Sequence, residues 1–361
     1  MDVANERKWQ LLQLESAIAC NLNCLMCPWK QIRKKTSGAG IMDPGIWTSV
    51  RPHLSDIRSI DFTGGGEPLL QPRLADWVSD AGLRGCETGI LTNGLLLTPK
   101  KARDLIQAKI DWICISVDGA TAEVYNRIRE KSDFDEVCRN IANLAAMRKP
   151  LQPKIMINYV LMEVNFHQIH EMVELASRLG VDQINFKQCD VIRADDGRGL
   201  GLFAEKENKT IRKLKKELVK ARRRARKLRI HTTAFDFTPE EQAVCDQDPR
   251  RSMFVRCDGK VSPCINLAYG GPTDFLGQDA FLPTVHYGRI PDQGLSELWE
   301  TEICRAYRER FTQRTKIYER ALLKGLTKSF GSGRERTFKN AQKAMPAPPE
   351  GCEVCHYLYN I

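Results

Sequence analysis

Between Trp9 and Lys187 the chain alternates short apolar segments with amphipathic ones, and this alternation narrows the fold more than any other feature. Strands are predicted at about 9–19, 58–63, 87–92, 111–117, 154–161 and 182–187. Helices fall between them at about 43–53, 72–83, 98–108, 121–147 (in two pieces) and 166–179. Strands that alternate with helices form a parallel sheet, and right-handed crossovers let it curl toward a barrel. Functional loops gather at the C-terminal strand ends of such a sheet. Here those ends read Thr92-Asn93-Gly94, Ser116-Val117-Asp118-Gly119, Met162-Glu163-Val164-Asn165 and Lys187-Gln188-Cys189-Asp190. Each also has a local explanation, because Asn-Gly and Asp-Gly favour turns and polar strand ends cap helices.

The loop after the first strand carries Cys20, Cys24 and Cys27 in a CxxxCxxC pattern. A four-iron cluster takes four thiolates, so a three-cysteine loop leaves one iron open to a non-protein ligand. Closed structural zinc needs a fourth protein ligand, and no His or Cys lies nearby in sequence to supply it. Disulfides are disfavoured in a chain that shows no secretion signal. The thirteen cysteines therefore suggest metal, with Cys86, Cys114 and Cys138 read as small buried apolar residues.

Further on, Ser59-Ile60-Asp61-Phe62-Thr63-Gly64-Gly65-Gly66-Glu67-Pro68 is an apolar strand running into three glycines, an acid and a proline. Glycines allow backbone to approach a ligand closely. The triplet and this segment together resemble the radical SAM superfamily. The resemblance implies a partial (β/α)6 barrel in which Cys20, Cys24 and Cys27 hold a [4Fe-4S] cluster whose free iron is chelated by S-adenosylmethionine. It further implies that Gly65, Gly66 and Glu67 line the methionyl amino group, and that Asn93, Ser116, Asp118 and Arg129 hold the rest of the SAM molecule. Arg129 suits a carboxylate because its planar fork makes two hydrogen bonds. Met26 stands where many members carry an aromatic residue, and its soft side chain can fill the same gap.

A second cysteine constellation lies in the last third: Cys245, then Gly259, Cys264 and a closing Cys352-Glu353-Val354-Cys355. Phe254 to Cys264 reads as a hairpin turning at Asp258-Gly259, and a helix is predicted at about Leu295–Arg310. This half resembles the twitch and SPASM modules that follow some radical SAM barrels, a small α+β unit. The resemblance implies one auxiliary [4Fe-4S] cluster on Cys245, Cys264, Cys352 and Cys355. Zinc would be satisfied by the same four thiols, and Cys257 or Cys304 could replace one of them. The implied organisation is a barrel over 1–235 and a cluster domain over 236–361, with a basic insert at about 311–345.

The 361 residues are 42% hydrophobic and 28% charged, enough for one large or two modest domains. No apolar run approaches the roughly 20 residues of a membrane span, so a cytoplasmic location is expected. The net charge of +10 is unevenly placed: 205–230 carries +10 and 305–345 carries +9, leaving the rest at −9. Ile211, Leu214, Leu218, Ala221, Ala225 and Leu228 form an apolar stripe along the first basic segment. That segment reads either as a solvated outer helix or as a dock for an anionic partner.

The resemblance implies reductive cleavage of SAM to a 5'-deoxyadenosyl radical that removes a substrate hydrogen, with electrons from an external donor such as flavodoxin or ferredoxin. An electron passed on to the auxiliary cluster would make the net reaction the dehydrogenation of a small-molecule alcohol. The alternatives are a peptide or protein maturase, including the sulfatase-maturing kind, and a non-catalytic redox sensor. Asp190, Glu163, Asp236 and Arg193 are the candidates for the lumen-side base.

Overall fold

The structure is a computed structural model that describes residues 7–35, 40–150, 152–189, 193, 199–202, 208–234, 237–326 and 334–361. Its strands are β1 Trp9–Leu14, β2 Ile57–Asp61, β3 Glu87–Thr92, β4 Trp112–Ser116, β5 Lys154–Leu161, β6 Gln183–Gln188, β7 His231–Ala234, β8 Ser252–Val255, β9 Lys260–Ser262, β10 Gly271–Phe275, β11 Gln278–Leu282 and β12 Gly288–Arg289. Its helices are α1 Lys30–Lys35, α2 Pro44–Val50, α3 Leu74–Leu83, α4 Pro99–Gln107, α5 Ala122–Ile128, α6 Phe134–Met147, α7 Ile169–Arg178, α8 Lys209–Lys227, α9 Ile265–Tyr269, α10 Leu295–Trp299, α11 Glu302–Leu326 and α12 Arg334–Ala344.

The six predicted strands pair in chain order and in parallel, as the alternation required. The sheet is open and larger than expected. Strand β7 adds a seventh parallel member beside β6, and its sequence, His231-Thr232-Thr233-Ala234, lacks the aliphatic run that marks the others. On the far side of β1, strand β8 pairs in parallel, and β9 and β12 continue antiparallel, giving the order β12-β9-β8-β1-β2-β3-β4-β5-β6-β7. The hairpin predicted around Asp258-Gly259 is therefore hydrogen-bonded onto the first strand of the parallel run. Strands β10 and β11 form a separate antiparallel pair.

Local chemistry sets the helix starts. Asp43 accepts a hydrogen bond from Gly45 N at 2.7 Å, Asp133 from Glu136 N at 2.9 Å and Asn208 from Ile211 N at 2.9 Å, each satisfying an amide that the first turn leaves unpaired. Pro52 converts the expected end of the 43–53 helix into a 3-10 turn, Arg51–Asp56. The 166–179 helix likewise opens as a 3-10 turn, Phe166–Gln168.

The predicted 295–310 helix divides into α10 and α11, and α11 runs on into the basic segment. That segment packs α11 against α12 as a helical pair. Helix α8 crosses from β6 to β7 and buries Ile211, Leu214, Leu218, Ala221 and Ala225, leaving its cations outward.

The main core lies between sheet and helices, where Trp47 and Trp77 stack at 5.4 Å. Two glycines test this packing in opposite directions. A Cβ on Gly89 in β3 would come within 1.9 Å of the Trp112 ring on β4, whereas one on Gly82 in α3 meets only Ala108 O at 4.0 Å. Gly89→Ala should cost about 1–3 kcal/mol and Gly82→Ala should stabilise by about 0.5–1 kcal/mol, both read from urea unfolding midpoints.

Candidate active site

Where β1 ends, the chain bends into the loop that carries the cysteine triplet. The strand predicted to reach residue 19 stops at Leu14, because Glu15 turns fully inward and takes hydrogen bonds from Gly65 N at 2.8 Å, Cys257 N at 3.1 Å and the Tyr269 hydroxyl. The next residues press on the glycine loop. A Cβ on Gly64 would lie 2.2 Å from Glu15 Cγ, and one on Gly66 would lie 2.3 Å from Ala19 O. The glycines are therefore required by chain-to-chain contact, a reason separate from any ligand.

Cys20, Cys24 and Cys27 line one cavity of about 280 Å³ together with Gly64, Gly65, Gly66, Glu67, Asn93, Ser116 and Arg129. Each thiol has its own donor. Leu22 N reaches Cys20 Sγ at 3.5 Å and Asn93 Nδ2 reaches it at 3.9 Å. Arg129 Nη1 lies 3.7 Å from Cys24 Sγ, and Arg33 Nη1 lies 3.3 Å from Cys27 Sγ. Arg33 also donates to Gly65 O at 3.1 Å, which joins the cysteine loop to the glycine loop. Burial pushes the Cys20 thiol up and the Cys24 thiol up to about 11, against the pull of nearby guanidinium groups.

Glu67 lines the cavity beside Gly65 and Gly66 as the resemblance implies, whereas Asp118 lies behind it. Both Glu67 oxygens are occupied, accepting from Leu69 N at 3.0 Å, Thr92 Oγ1 at 2.7 Å and Asn93 N at 2.8 Å. The carboxylate thus clamps two strand ends while its side chain lines the cavity. Asp118 is fully buried behind Arg129, taking its Nε at 2.7 Å and Nη2 at 2.6 Å, and accepting from Val160 N at 2.7 Å. Arg129 faces the cavity and Asp118 aims it.

Glu163 does not join the site. It is exposed on a turn after β5, with its amide bonded to Leu200 O at 3.2 Å. The inward position at that strand end belongs to Asn165, which accepts from Met162 N at 2.8 Å and donates to Asp118 O at 2.9 Å. Asp190 and Asp236 lie outside the described residues. Arg193 lies over the Trp29 ring, 5.0 Å from its centroid, and is bonded to Asn266 O at 3.2 Å. Its fixed cation makes it unsuited to the role of base.

Cys245, Cys264, Cys352 and Cys355 line a second, tightly enclosed space with Pro249, Leu267 and Leu358. Their charges act on one another, and burial pushes Cys264 up to about 12 and Cys352 well above the usual thiol range. Cys257 is instead beside Glu15, and Cys304 is buried near Tyr287 and Arg308, so neither joins the four. Single zinc holds thiolates at about 2.3 Å. Among the described residues no group of three or more His, Cys, Asp and Glu side chains converges that closely on one point. The four thiols nevertheless converge on one enclosed space, and their charges act on one another. Tyr357 lines this space and also the three-cysteine cavity, a residue two positions past the CxxC that no motif marks.

Residues 14–176 match the radical SAM superfamily, and residues 245–320 match the SPASM iron-sulfur cluster-binding domain. The chain carries a radical SAM domain followed by a SPASM domain.

The chain is 26% identical over 305 residues, 81% of each chain, to a tungsten-containing aldehyde ferredoxin oxidoreductase cofactor-modifying protein of Pyrococcus furiosus. It is 28% identical over 324 residues, 83% of this chain and 85% of the relative, to the AdoMet-dependent heme synthase of Methanosarcina barkeri. Mycofactocin maturase MftC of Mycobacterium tuberculosis is 32% identical over 175 residues, 47% of this chain and 42% of the relative. The crystal structure of Streptococcus suis SuiB bound to S-adenosylmethionine superposes with a TM-score of 0.63 at 15% identity, covering 83% of this chain and 68% of that one, and shows a shared fold.

This radical SAM protein is an enzyme, and its cofactors are SAM, a [4Fe-4S] cluster and auxiliary iron-sulfur. The residues fit both groups: three thiols, each with its own N–H donor, open onto a cavity, and four mutually interacting thiols enclose another space. No helix among the described residues is long and apolar enough to cross a membrane.

Two measurements probe the site. Arg129→Met leaves the Asp118 carboxylate buried and uncompensated and should cost about 3–5 kcal/mol in urea unfolding, much of it recovered in the double variant with Asp118→Asn. Asp61, bonded to Thr63 at the lumen end of β2, is pushed from 3.8 up to about 6 by burial. A raised carboxyl pKa gives stability that is present below about 4 and lost as pH rises through about 6. The stability gap between Asp61→Asn and the natural protein should therefore move in favour of Asn across that window and stay constant above it.

Proposed function

We propose that this protein is a radical SAM oxidoreductase acting on a small molecule, with Cys20, Cys24 and Cys27 holding the SAM-binding cluster and Cys245, Cys264, Cys352 and Cys355 holding one auxiliary [4Fe-4S] cluster. The observation that carries this reading is the pair of thiol sites linked through Tyr357, which lines both. When bound, SAM and its cluster would supply hydrogen-atom abstraction from the substrate, the auxiliary cluster would accept the second electron of an oxidation such as alcohol to ketone, and the hydroxyl proton would pass to solvent. The chain's own part is to orient and enclose. Arg129, aimed by Asp118, suits the SAM carboxylate; Gly65, Gly66, Asn93 and Ser116 line the same cavity. Asn158, Gln188 and Tyr357 line both the three-cysteine cavity and a neighbouring one of about 250 Å³ that also meets Asp246 and Gln247, just past Cys245, and a substrate would sit there. Enclosure there keeps a reactive carbon centre from the wrong partner.

The relatives that align over more than four-fifths of both chains support a small-molecule substrate, since one is named for modifying a cofactor and the other for making heme. A second reading, peptide or protein maturation, draws support from the mycofactocin maturase, whose similarity covers less than half of this chain. A low-potential donor of the flavodoxin or ferredoxin type and a reducing, cytoplasmic setting go with either reading.

Anaerobically reconstituted protein given dithionite and SAM should release 5'-deoxyadenosine; if it releases none, the enzymatic reading fails and the redox-sensor alternative takes its place. Cys24→Ala should abolish that release, whereas Cys352→Ala should retain it while losing product. Equal loss of both activities in Cys352→Ala would count against an electron-accepting site. Iron should approach about eight per chain, as two four-iron clusters require; about four iron plus one zinc would count against the auxiliary cluster.

A further inference from the structure

Beside the three-cysteine cavity lies a larger one, of about 740 Å³, that the radical chemistry leaves without a role. Pro28 lines both, and the stacked pair of Trp29, on the smaller cavity, and Arg193, on the larger, stands between them. Three arginines line the larger cavity: Arg193, Arg256 and Arg289. The first two are held rigidly. Arg193 donates through Nη1 to Gly270 O and through Nη2 to Asn266 O. Arg256 lies over Tyr269, 4.3 Å from the ring centroid, and donates to Ala268 O at 3.1 Å and to the Asp258 carboxylate at 2.9 Å.

Each of these two guanidinium groups nevertheless keeps a buried Nε–H with no acceptor among the described residues. Those Nε–H groups are sealed from solvent, so the cavity meets the guanidinium charge and not a free donor. The cavity's two carboxylates offset that charge only in part. Asp258 is engaged with Arg256, and Asp43 Oδ1 caps α2 through Gly45 N at 2.7 Å. Three cations against two acids leave the wall positive.

We propose that this cavity binds a small molecule bearing an oxyanion, a carboxylate or a phosphate ester, held by Arg193 and Arg256 with Arg289 at the edge. A planar guanidinium matches either anion, and the volume lies within the range of small-ligand pockets. The site requires neither cluster, so it stands apart from the radical reading.

Isothermal titration of citrate and of pyrophosphate into the anaerobic full-length protein tests it and separates the two chemistries. At least one should bind saturably, citrate marking a carboxylate site and pyrophosphate a phosphate site. Arg256→Met should weaken that binding at least tenfold. Arg289→Ala, whose side chain is 51% exposed and whose loss does not threaten folding, should weaken it several-fold. Arg223→Ala, on the exposed face of α8, should leave it unchanged. Absence of binding by both anions, or equal weakening by Arg223→Ala and Arg289→Ala, would overturn the proposal. Deoxyadenosine release by the unmodified protein is measured separately, so the two readings can fail independently.

Discussion

One carboxylate with no exposure to solvent, Glu15, connects the parts on which everything else rests. It sits where β1 gives way to the cysteine loop, and its three hydrogen bonds reach the glycine loop, the β8–β9 hairpin and the end of α9. Burial pushes its carboxyl upward, and the donors around it pull the other way. A buried acid without its donors is costly, so the three partners must arrive together. This requirement fixes the first strand between β2 and β8, and it sets the C-terminal half against the mouth of the sheet rather than at a distance from it.

The site built on that junction follows a consistent electrostatic plan. Thiols buried in apolar surroundings resist ionising, and here every thiol of the triplet has an N–H donor within reach, from Leu22 and Asn93, from Arg129 and from Arg33. The two arginines are not free to wander. Arg129 is locked by Asp118, and Arg33 is tied to the carbonyl of Gly65. The donors therefore belong to the scaffold, held by its own carboxylate and carbonyl groups.

Much of this was legible in the sequence, and the reasons differ by residue. The cysteine triplet, the glycine loop, Asn93, Ser116 and Arg129 come together as expected because short motifs at strand ends survive small errors in element boundaries. Glu163 was misplaced because the turn after β5 gives its inward position to Asn165, whose amide can both accept and donate there as a carboxylate cannot. Arg33 carried a weak signal, a cation on the short helix just past the third cysteine. Glu15 and Tyr357 carried none, since their roles arise from β8 pairing with β1 and from the way the chain end packs. The extra strands β7 and β10 to β12 escaped for want of aliphatic alternation, and in β10 a proline is tolerated because the pair is a free edge.

The charge distribution separates from the chemistry for a related reason. Helix α8 spends its apolar stripe on α7 and the sheet, and its cations are partly met by acids, as in Arg224 with Glu174 at 2.6 Å and Lys220 with Glu217 at 2.9 Å. Exposed pairs of this kind add little to stability and are screened by salt. Arg129, Arg193 and Arg256, which face the two cavities, are of another sort. They are enclosed, stacked on aromatic rings or locked to buried acids, and their few remaining hydrogen-bonding positions are directed by the fold. A high net charge on this chain thus says little about its ligands, while a handful of buried guanidinium groups says a good deal.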